Sequence, residues 1–319
     1  MSFTLSCRII IGQYEFRYVA ETVIEQSRKQ MGDRATIVLP SRYKSQFLCN
    51  LVKGGDPVII GLGYDGRIEK EFEGYVSDVS YRQPVQIQCE DGMYIFKRRT
   101  PKARSWSSVK LAEVLRYLVG EVELFEVPDI TLSPFAIKPG GSVYAVLQQI
   151  RDKYGLEIFF RDGKLVVTVP TYADSRERVR YDLERNVIDP SLTFRRVDDV
   201  RIRVKAVSIL PGNKRLTVDV GDMDAASTTT LHFYNVTVEA ELRRLASDKL
   251  RNLKYDGFSG TLTTFGLPRA RKGMIAEIRD ARFDGSRSGA YQIDAVKQTF
   301  GRGGYRREVS LGRRVDSNG

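Results

Sequence analysis

The feature that most constrains this chain is a β-hairpin pattern that it contains twice. One copy runs from Gly54 to Tyr81 and the other from Arg271 to Phe300. Each has an apolar run, an Asp-Gly pair (Asp65-Gly66 or Asp284-Gly285), and a second run in which apolar and polar residues alternate. Asp-Gly between such runs indicates a tight turn, because the turn needs positive φ angles that glycine adopts without strain. The recurrence predicts two related β-domains in one chain, although any two hairpins obey the same local rules.

The length and composition are those of a folded globular protein. A chain of 319 residues can hold two or three domains, and this one is 42% hydrophobic and 29% charged. No apolar run approaches the roughly 20 residues that cross a bilayer, and the first residues lack the layout of a signal peptide. Residence in a cytosol is therefore expected. Three cysteines without CxxC spacing argue against a disulfide framework or a zinc site, and fit reduced fillers in strands.

Changes in hydrophobic period divide the chain into three stretches. Residues 1–98 contain short alternating runs separated by Gly, Pro and Asp turns, which is typical of a β-barrel or sandwich. Residues 99–170 contain two runs with helical spacing followed by a hairpin, and residues 171–319 return to strands around one helix. The predicted fold class is mainly β (α+β overall). Two related β-barrel-like domains flank a small α+β module, and a helix precedes the last strands of the second barrel.

The helices have recognisable ends. Ser107 and Ser108 are candidate caps for the first helix of the module, and Ser142 is the candidate N-cap of the second. Gly155 is placed to end that second helix. In the last stretch one helix is predicted from Val238 to about Leu253.

The net charge of +11 is concentrated in the second half of the chain. Residues 171–319 carry 28 basic and 20 acidic side chains, whereas residues 1–170 carry 23 and 20. The run from Phe300 to Arg307 interleaves aromatic, glycine and arginine residues, as proteins that bind single-stranded nucleic acid do. A basic β-barrel protein that binds single-stranded nucleic acid is therefore one candidate. The same run also fits a glycine-rich hairpin between two strands, and basic side chains commonly line solvated strand faces.

Few residues of this chain point to catalysis. His232 is the one histidine, and it lacks the partners that a metal site or a nucleophile triad needs. The pairs Asp222/Asp224 and Asp198/Asp199 are the remaining candidates, as the paired carboxylates of a glycosidase, but acidic pairs in loops are usually solvated turns. No phosphate-binding loop is present. No catalytic, cofactor-binding or metal residue is predicted, and the chain is not expected to be an enzyme.

The most specific segment follows the last helix. It reads LKYDGFSGTL from Leu253 to Leu262 and FGLP from Phe265 to Pro268, and it ends at Lys272-Gly273. The residues that mark it are Tyr255, Asp256, Gly257, Phe258, Gly260, Gly266, Pro268 and Gly273. This segment resembles the C-terminal part of phage baseplate hub proteins, the late control protein D or 43-kilodalton tail protein family. Within the middle module, the stretch from Val143 to Leu165 is also similar to that family.

The resemblance implies a structural component of a contractile phage or prophage tail. Hubs of this family have two related β-barrel tube domains per chain, which here correspond to residues 1–98 and 171–319. Three chains form a ring of six similar barrels, because threefold symmetry imitates sixfold symmetry only when each subunit repeats itself. Such a ring joins the tail tube to a central spike.

The resemblance also implies partners and a location. The partners are the chain itself as a homotrimer, a separate spike protein, the tail tube and other baseplate proteins, with DNA only as cargo through the channel. The protein is expected in the virion, in the tail baseplate, after assembly in the host bacterial cytoplasm. The positive excess of the second half is expected to lie partly on the lumen or on a face that meets an acidic partner, with Arg306 and Arg307 as its test residues. Binding of single-stranded nucleic acid stays open as the alternative.

Overall fold

A computed structural model describes residues 3–43, 46–80, 82–169, 177–210, 212, 214–225, 228–283 and 287–315 of the chain. Strands predominate over helices, so the predicted mainly β fold class is confirmed. Within these ranges no helix is both long enough and apolar enough to cross a membrane.

The first β region consists of strands with two short helices. Its elements are β1 (Leu5–Ile11), β2 (Tyr14–Phe16), β3 (Glu21–Ser27), β4 (Arg34–Leu39), β5 (Arg42–Tyr43), β6 (Gln46–Phe47), α1 (Leu48–Leu51), β7 (Pro57–Tyr64), β8 (Arg67–Val79), β9 (Val85–Glu90) and α2 (Met93–Arg98).

The middle module combines two longer helices with short strands. Its elements are β10 (Arg104–Trp106), β11 (Val109–Lys110), α3 (Leu111–Val119), β12 (Leu124–Phe125), β13 (Thr131–Leu132), β14 (Phe135–Ile137), α4 (Val143–Tyr154), β15 (Glu157–Arg161) and β16 (Lys164–Thr168).

The second β region begins after the module and contains one long helix. Its elements are β17 (Arg178–Asp182), β18 (Asp189–Arg195), β19 (Arg203–Ile209), β20 (Arg215–Gly221), β21 (Thr228–Tyr234), α5 (Glu239–Leu253), β22 (Gly257–Phe265), β23 (Ile275–Arg279), β24 (Gly289–Gly301) and β25 (Gly304–Val315).

The hairpin predicted at Asp65-Gly66 is confirmed. Strands β7 and β8 pair antiparallel across it, and Asp65 and Gly66 have φ angles of 52° and 78°. Aspartate and glycine are the residues that adopt this left-handed backbone most readily. In the second copy, β23 and β24 also pair antiparallel, with Ile275 opposite Gln292. The turn Asp284-Gly285 lies outside the described residues.

Strands of both β regions form one 13-stranded sheet, in the order β18-β22-β25-β24-β3-β4-β9-β8-β7-β1-β2, with β17 and β23 attached through β24. Strand β24 makes the connection. Its first residues pair with β23, and its later residues, Ala295 to Gly301, pair with β3. The path is open among the described residues, so closure into two barrels stays a prediction. A separate three-stranded sheet, β20-β19-β21, packs against α5.

The described residues form four apolar cores. One of them contains residues from both β regions. Phe300 and Tyr305, near the C-terminus, pack in the core of the first β region with residues such as Ile9 and Phe72. The module has its own core, and so have the main part of the second β region and the sheet beside α5. The boundaries after residues 98 and 170 stay predictions. The end of the chain nevertheless contributes to the first core.

The predicted positions of the helices are confirmed, but one of the predicted caps is not. The Ser142 hydroxyl accepts a hydrogen bond from the Ala145 N–H at 3.1 Å, and Gly155 ends α4 with a φ of 60°. Helix α5 is found where it was expected. The capping role given to Ser107 and Ser108 was wrong: the helix begins at Leu111, because the two residues before it pair as a strand with β13.

The cysteines follow the expectation with one exception. Cys7 and Cys89 are buried in strands β1 and β9 and all three thiols are free. Cys49 lies half-buried in helix α1 instead of in a strand.

The backbone conformation at Gly260 leads to a testable prediction. It has a φ of 121°, and a Cβ there would lie 2.4 Å from the backbone oxygen of Ser191. We expect Gly260→Ala to lower the free energy of unfolding by about 1–3 kcal/mol, since alanine meets both the strained angle and the clash. Gly141→Ala is the control, because a Cβ there meets nothing within 4 Å. Urea unfolding of both variants measures the difference, and equal effects would contradict the assigned strain.

Candidate functional site

The two β regions are joined by a buried ion pair between Arg307 of β25 and Glu71 of β8. Both side chains are almost completely buried, at 0% and 2% exposure. Arg307 Nη2 lies 2.9 Å from Glu71 Oε1. The guanidinium uses all five of its N–H donors. Two go to Glu71 and one to the Tyr305 hydroxyl, while the carbonyl oxygens of Gly266 and Ala270 accept the others. A buried charge paired and bonded in this way is tolerated in a core.

A hydrogen-bonded ring completes this contact. The Tyr305 hydroxyl donates to Oε1 of Gln298 at 3.0 Å, and Nε2 of Gln298 donates to Glu71 at 3.1 Å. Burial raises the pKa of Tyr305, so its hydroxyl keeps the proton that it donates. Each polar group of the network has a partner, which makes the junction specific for one arrangement of the two regions.

A second buried cluster lies beside the first. The Lys272 ammonium is 2.6 Å from Oδ1 of Asp33, and both side chains are buried. Asp91 accepts hydrogen bonds from the backbone N–H groups of Asp33 and Met93, at 2.9 and 3.0 Å. Burial, with the nearby negative charge of Asp33, raises the pKa of Asp91 to about 7. The cluster therefore carries a carboxyl group that changes charge near neutral pH.

The segment between β22 and β23 supplies the cations that reach across the junction. Arg269 pairs with Glu69 of β8 at 3.1 Å, and Arg271 pairs with Asp162 of the module at 2.7 Å. Lys272 binds the Asp33 carboxylate. We call residues 266–274, which lie between β22 and β23, the basic connector. It contacts the first β region and the module with neighbouring side chains, and so fixes all three parts of the molecule at one place.

A cleft of about 410 Å³ opens where these three parts meet. Its walls are mainly apolar, with Phe72 from β8, Ile95 from α2 and Phe160 from β15. Several charged groups around it are paired with one another, such as Lys70 with Glu73 and Arg271 with Asp162, whereas Asp91 is bonded to backbone N–H groups. Within the described ranges, His, Cys, Asp and Glu side chains form no group of three that could hold a metal ion. Most of the charged side chains of the junction bind each other across the three parts of the molecule.

The first marker residues of the family-like segment lie in the core of the second β region. The Phe258 N–H donates to the Tyr291 hydroxyl at 2.9 Å, and Phe258 packs edge-on against Phe194. Tyr255 lies beside Tyr291. A Cβ on Gly257 would lie 2.7 Å from that hydroxyl, so the close packing requires glycine.

The other markers lie at contacts between segments of this chain and at the junction of the two β regions. Asp256 accepts a hydrogen bond from the Val197 N–H at 2.7 Å, and Gly260 passes close to Ser191. Gly266 and Pro268 belong to the basic connector, where Gly266 donates to Tyr64 and accepts from Arg307. Gly273 has a φ of 88° and donates to the carbonyl of Ile293. The markers therefore fall into a core group and a junction group, and their value as family markers stays a prediction.

The residues considered for catalysis are not arranged for it. The ring of His232 packs against Gly155, and burial lowers the pKa of this histidine. The hydrogen bond from Lys254 lowers the pKa of Asp222, whereas the general acid of a glycosidase needs a raised one. Its neighbour Asp224 pairs with Arg201. Asp198 and Asp199 lie exposed in a 3-10 turn.

The two aromatic residues of the run from Phe300 to Arg307 are buried, as is Arg307. Phe300 and Tyr305 are 4% and 2% exposed, so they offer no free face on which a base could stack. The expectation that Arg307 faces a lumen or a partner was wrong, because the inward phase of β25 places its side chain at the junction. Arg306 lies on the opposite face, above the ring of Phe265. The alternative of single-stranded nucleic-acid binding loses its main support.

Solved structures match the chain from end to end, whereas no family model and no curated protein matches it. The tail protein from Neisseria meningitidis MC58 has a TM-score of 0.65 and 17% identity, covering 98% of this chain and 97% of that one. The 43 kDa tail protein of prophage MuSo2 from Shewanella oneidensis has a TM-score of 0.65 and 15% identity, covering 98% of each. An Escherichia coli component of the type VI secretion system has a TM-score of 0.60 and 8% identity, covering 98% and 77%.

Likenesses at 8–17% identity show the fold. This chain therefore has the fold of phage and prophage tail proteins, and the resemblance found in its sequence is confirmed at that level.

The buried ion pair makes a direct prediction. We expect Glu71→Gln to lower the free energy of unfolding by about 3–5 kcal/mol, because it leaves the Arg307 charge buried without a counter-charge. Glu69→Gln on the same strand is the control, since the Glu69 side chain is 62% exposed and a pair with such an exposed carboxylate is worth about 1 kcal/mol or less. Urea unfolding of the two variants measures the contrast. Similar small losses in both would mean that the junction does not depend on this pair.

Asp91 gives the junction a pH dependence of known sign. Its pKa is about 7 in the folded chain against an ordinary 3.8, so the folded state holds the extra proton between these values. The contribution of Asp91 to the free energy of unfolding should therefore fall as the pH rises from about 4 to about 7. Asn at this position does not titrate, so the stability of Asp91→Asn relative to the wild type should rise over the same range. Urea unfolding at several pH values tests this, and a constant difference would contradict it.

Proposed function

We propose that this chain is a structural subunit of a phage or prophage tail, located in the baseplate hub. The observation that carries the proposal is the mutual coverage of 97–98% with the Neisseria and Shewanella tail proteins. A fold alone does not define a function. A match that includes the whole order of two β regions around a small module supports a shared place in an assembly.

In this proposal the protein works as a structural adaptor. Three copies form a ring in which each contributes two β regions, and this ring joins the tail tube to a separate spike protein. DNA passes through the channel as cargo, and the protein is assembled in the bacterial cytoplasm and remains in the virion. A ring subunit of this kind must keep a fixed angle between its two β regions. The Glu71–Arg307 pair and the basic connector are the contacts that support such rigidity.

The mass of the purified protein in solution tests the ring. We expect light scattering to give about three times 36.2 kDa, at both low and high salt, because obligate ring contacts are largely apolar and survive screening. Glu69→Gln should form the same trimer. A monomer at all concentrations, or a dimer, would contradict a ring that closes on its own.

A further inference from the structure

A strongly basic stretch leads from the first β region into the module. From Gly92 to Ala112 the chain has six basic side chains and no acidic one. Two of the six are neutralised, since Lys97 pairs with Glu90 at 2.6 Å and Lys110 pairs with Asp129 at 2.7 Å. Within the described part of the chain, the other four cations make no ion pair. They are Arg98, Arg99, Lys102 and Arg104.

Three of these cations meet at the last turn of helix α3. The Arg99 guanidinium donates to a backbone carbonyl of that turn at 3.4 Å, and the Lys102 carbonyl oxygen accepts a hydrogen bond from the Tyr117 hydroxyl at 3.1 Å. The Arg104 guanidinium lies 5.2 Å from the centre of the Tyr117 ring. Arg116 adds a fourth cation from the same turn, also without an ion pair among the described residues. We call Arg99, Lys102, Arg104 and Arg116 the Arg104 patch.

The carboxylates nearest to the patch along the chain do not neutralise it. Glu113 lies in the first turn of α3, and Glu121 follows Gly120, the residue that ends this helix. Counted against the four cations of the patch, these two leave an excess of two positive charges. Arg98 precedes Arg99 in the chain and raises the excess to three. A surface with such an excess attracts polyanions.

Aromatic rings hold the Arg104 guanidinium in place. Its centre lies 4.9 Å from that of the Trp106 ring, and Trp106 in turn packs against Tyr117 and Phe135. A guanidinium that lies over a ring keeps its N–H donors free for an anion. Among the described residues no group accepts a hydrogen bond from the Arg104 side chain. Donors that are already fixed lose little entropy on binding.

The cover on these rings decides which polyanion fits. Trp106 and Tyr117 are half-buried, and neither is among the large apolar side chains that are exposed. The centre of a protein interface buries apolar side chains, so the patch suits neither a protein partner nor another face of a second copy of this chain. The bases of a single strand stack on open aromatic faces, whereas Trp106 is covered by Arg104 and Phe135. A nucleic-acid duplex needs neither feature, because its phosphates supply a dense negative charge.

We propose that the Arg104 patch binds the phosphate backbone of duplex DNA without reading its bases. Each of the four cations contacts one phosphate, and the rings beneath Arg104 keep its guanidinium in position. This inference goes beyond the proposed function, in which DNA is only cargo, and it does not require the ring.

A titration of the purified chain with a short duplex of mixed sequence tests the binding. Trp106 is the one tryptophan of the chain, so its emission reports on the patch. We expect the duplex to change this emission, and the binding constant to fall as salt is added. Four phosphate contacts predict a slope of log K against log salt of about −3.6. No binding at low salt, or binding without a change in tryptophan emission, would contradict the proposal.

Removal of single charges locates the contact. Arg104→Gln and Arg116→Gln should each reduce the steepness of the slope by about one and lower the affinity at about 100 mM salt by about five- to tenfold, because each removes one phosphate contact. Among the described residues the Arg116 side chain makes no hydrogen bond or ion pair, so its variant leaves the rings undisturbed.

The matched control is Arg302→Gln. It removes the same charge from an exposed arginine in the turn between β24 and β25, and it should leave the slope and the affinity for the duplex unchanged. Equal losses in all three variants would mean that the net charge of the chain attracts DNA without a site, and would contradict the proposal.

Two other polyanions complete the test. A single strand of the same sequence and a polyglutamate of equal total charge should bind more weakly than the duplex, since their charge density is lower. A single strand that binds as tightly would indicate base stacking, and polyglutamate that binds as tightly would indicate an acidic protein ligand; either result contradicts the proposal. The solution mass of the chain is measured separately, so failure of the ring and failure of this site are distinguishable.

Discussion

The arrangement of this molecule depends on one buried ion pair, between Glu71 and Arg307. Taking two charges out of water costs several kcal/mol for each ion, and only close pairing with complete hydrogen bonding offsets that cost. Here the five donors of the guanidinium are all used. The two partners come from strands of different β regions. The pair therefore favours one relative position of those regions, since any other leaves a buried charge unpaired.

Strand β24 and the basic connector extend that constraint through the molecule. The strand pairs with β23 at one end and with β3 at the other, so the two β regions share a sheet. The connector sends Arg269 and Lys272 to the first region and Arg271 to the module. These contacts give a body of fixed shape. A body of fixed shape is what the proposed ring subunit would need.

Sequence patterns predicted the strands, the Asp65-Gly66 hairpin and the helices well, because these depend on local period and turn chemistry. They did not predict the junction. Arg307 is on the inward phase shared with Tyr305 and Val309, so the alternation along β25 contained a signal for its burial. Glu71 gave no such signal, because it is the extra residue of a β-bulge between Lys70 and Phe72. Its position depends on pairing with β7, which lies outside any local pattern.

The measurement that tests the central claim most directly is electron cryomicroscopy of the purified tail at the end of its tube. The account predicts a threefold ring of this chain between the tube and the spike, with two β regions per subunit arranged as six similar lobes around a channel. It also predicts that Glu71 and Arg307 remain paired inside each subunit. A ring of another symmetry, or this chain placed away from the tube–spike junction, would contradict the account.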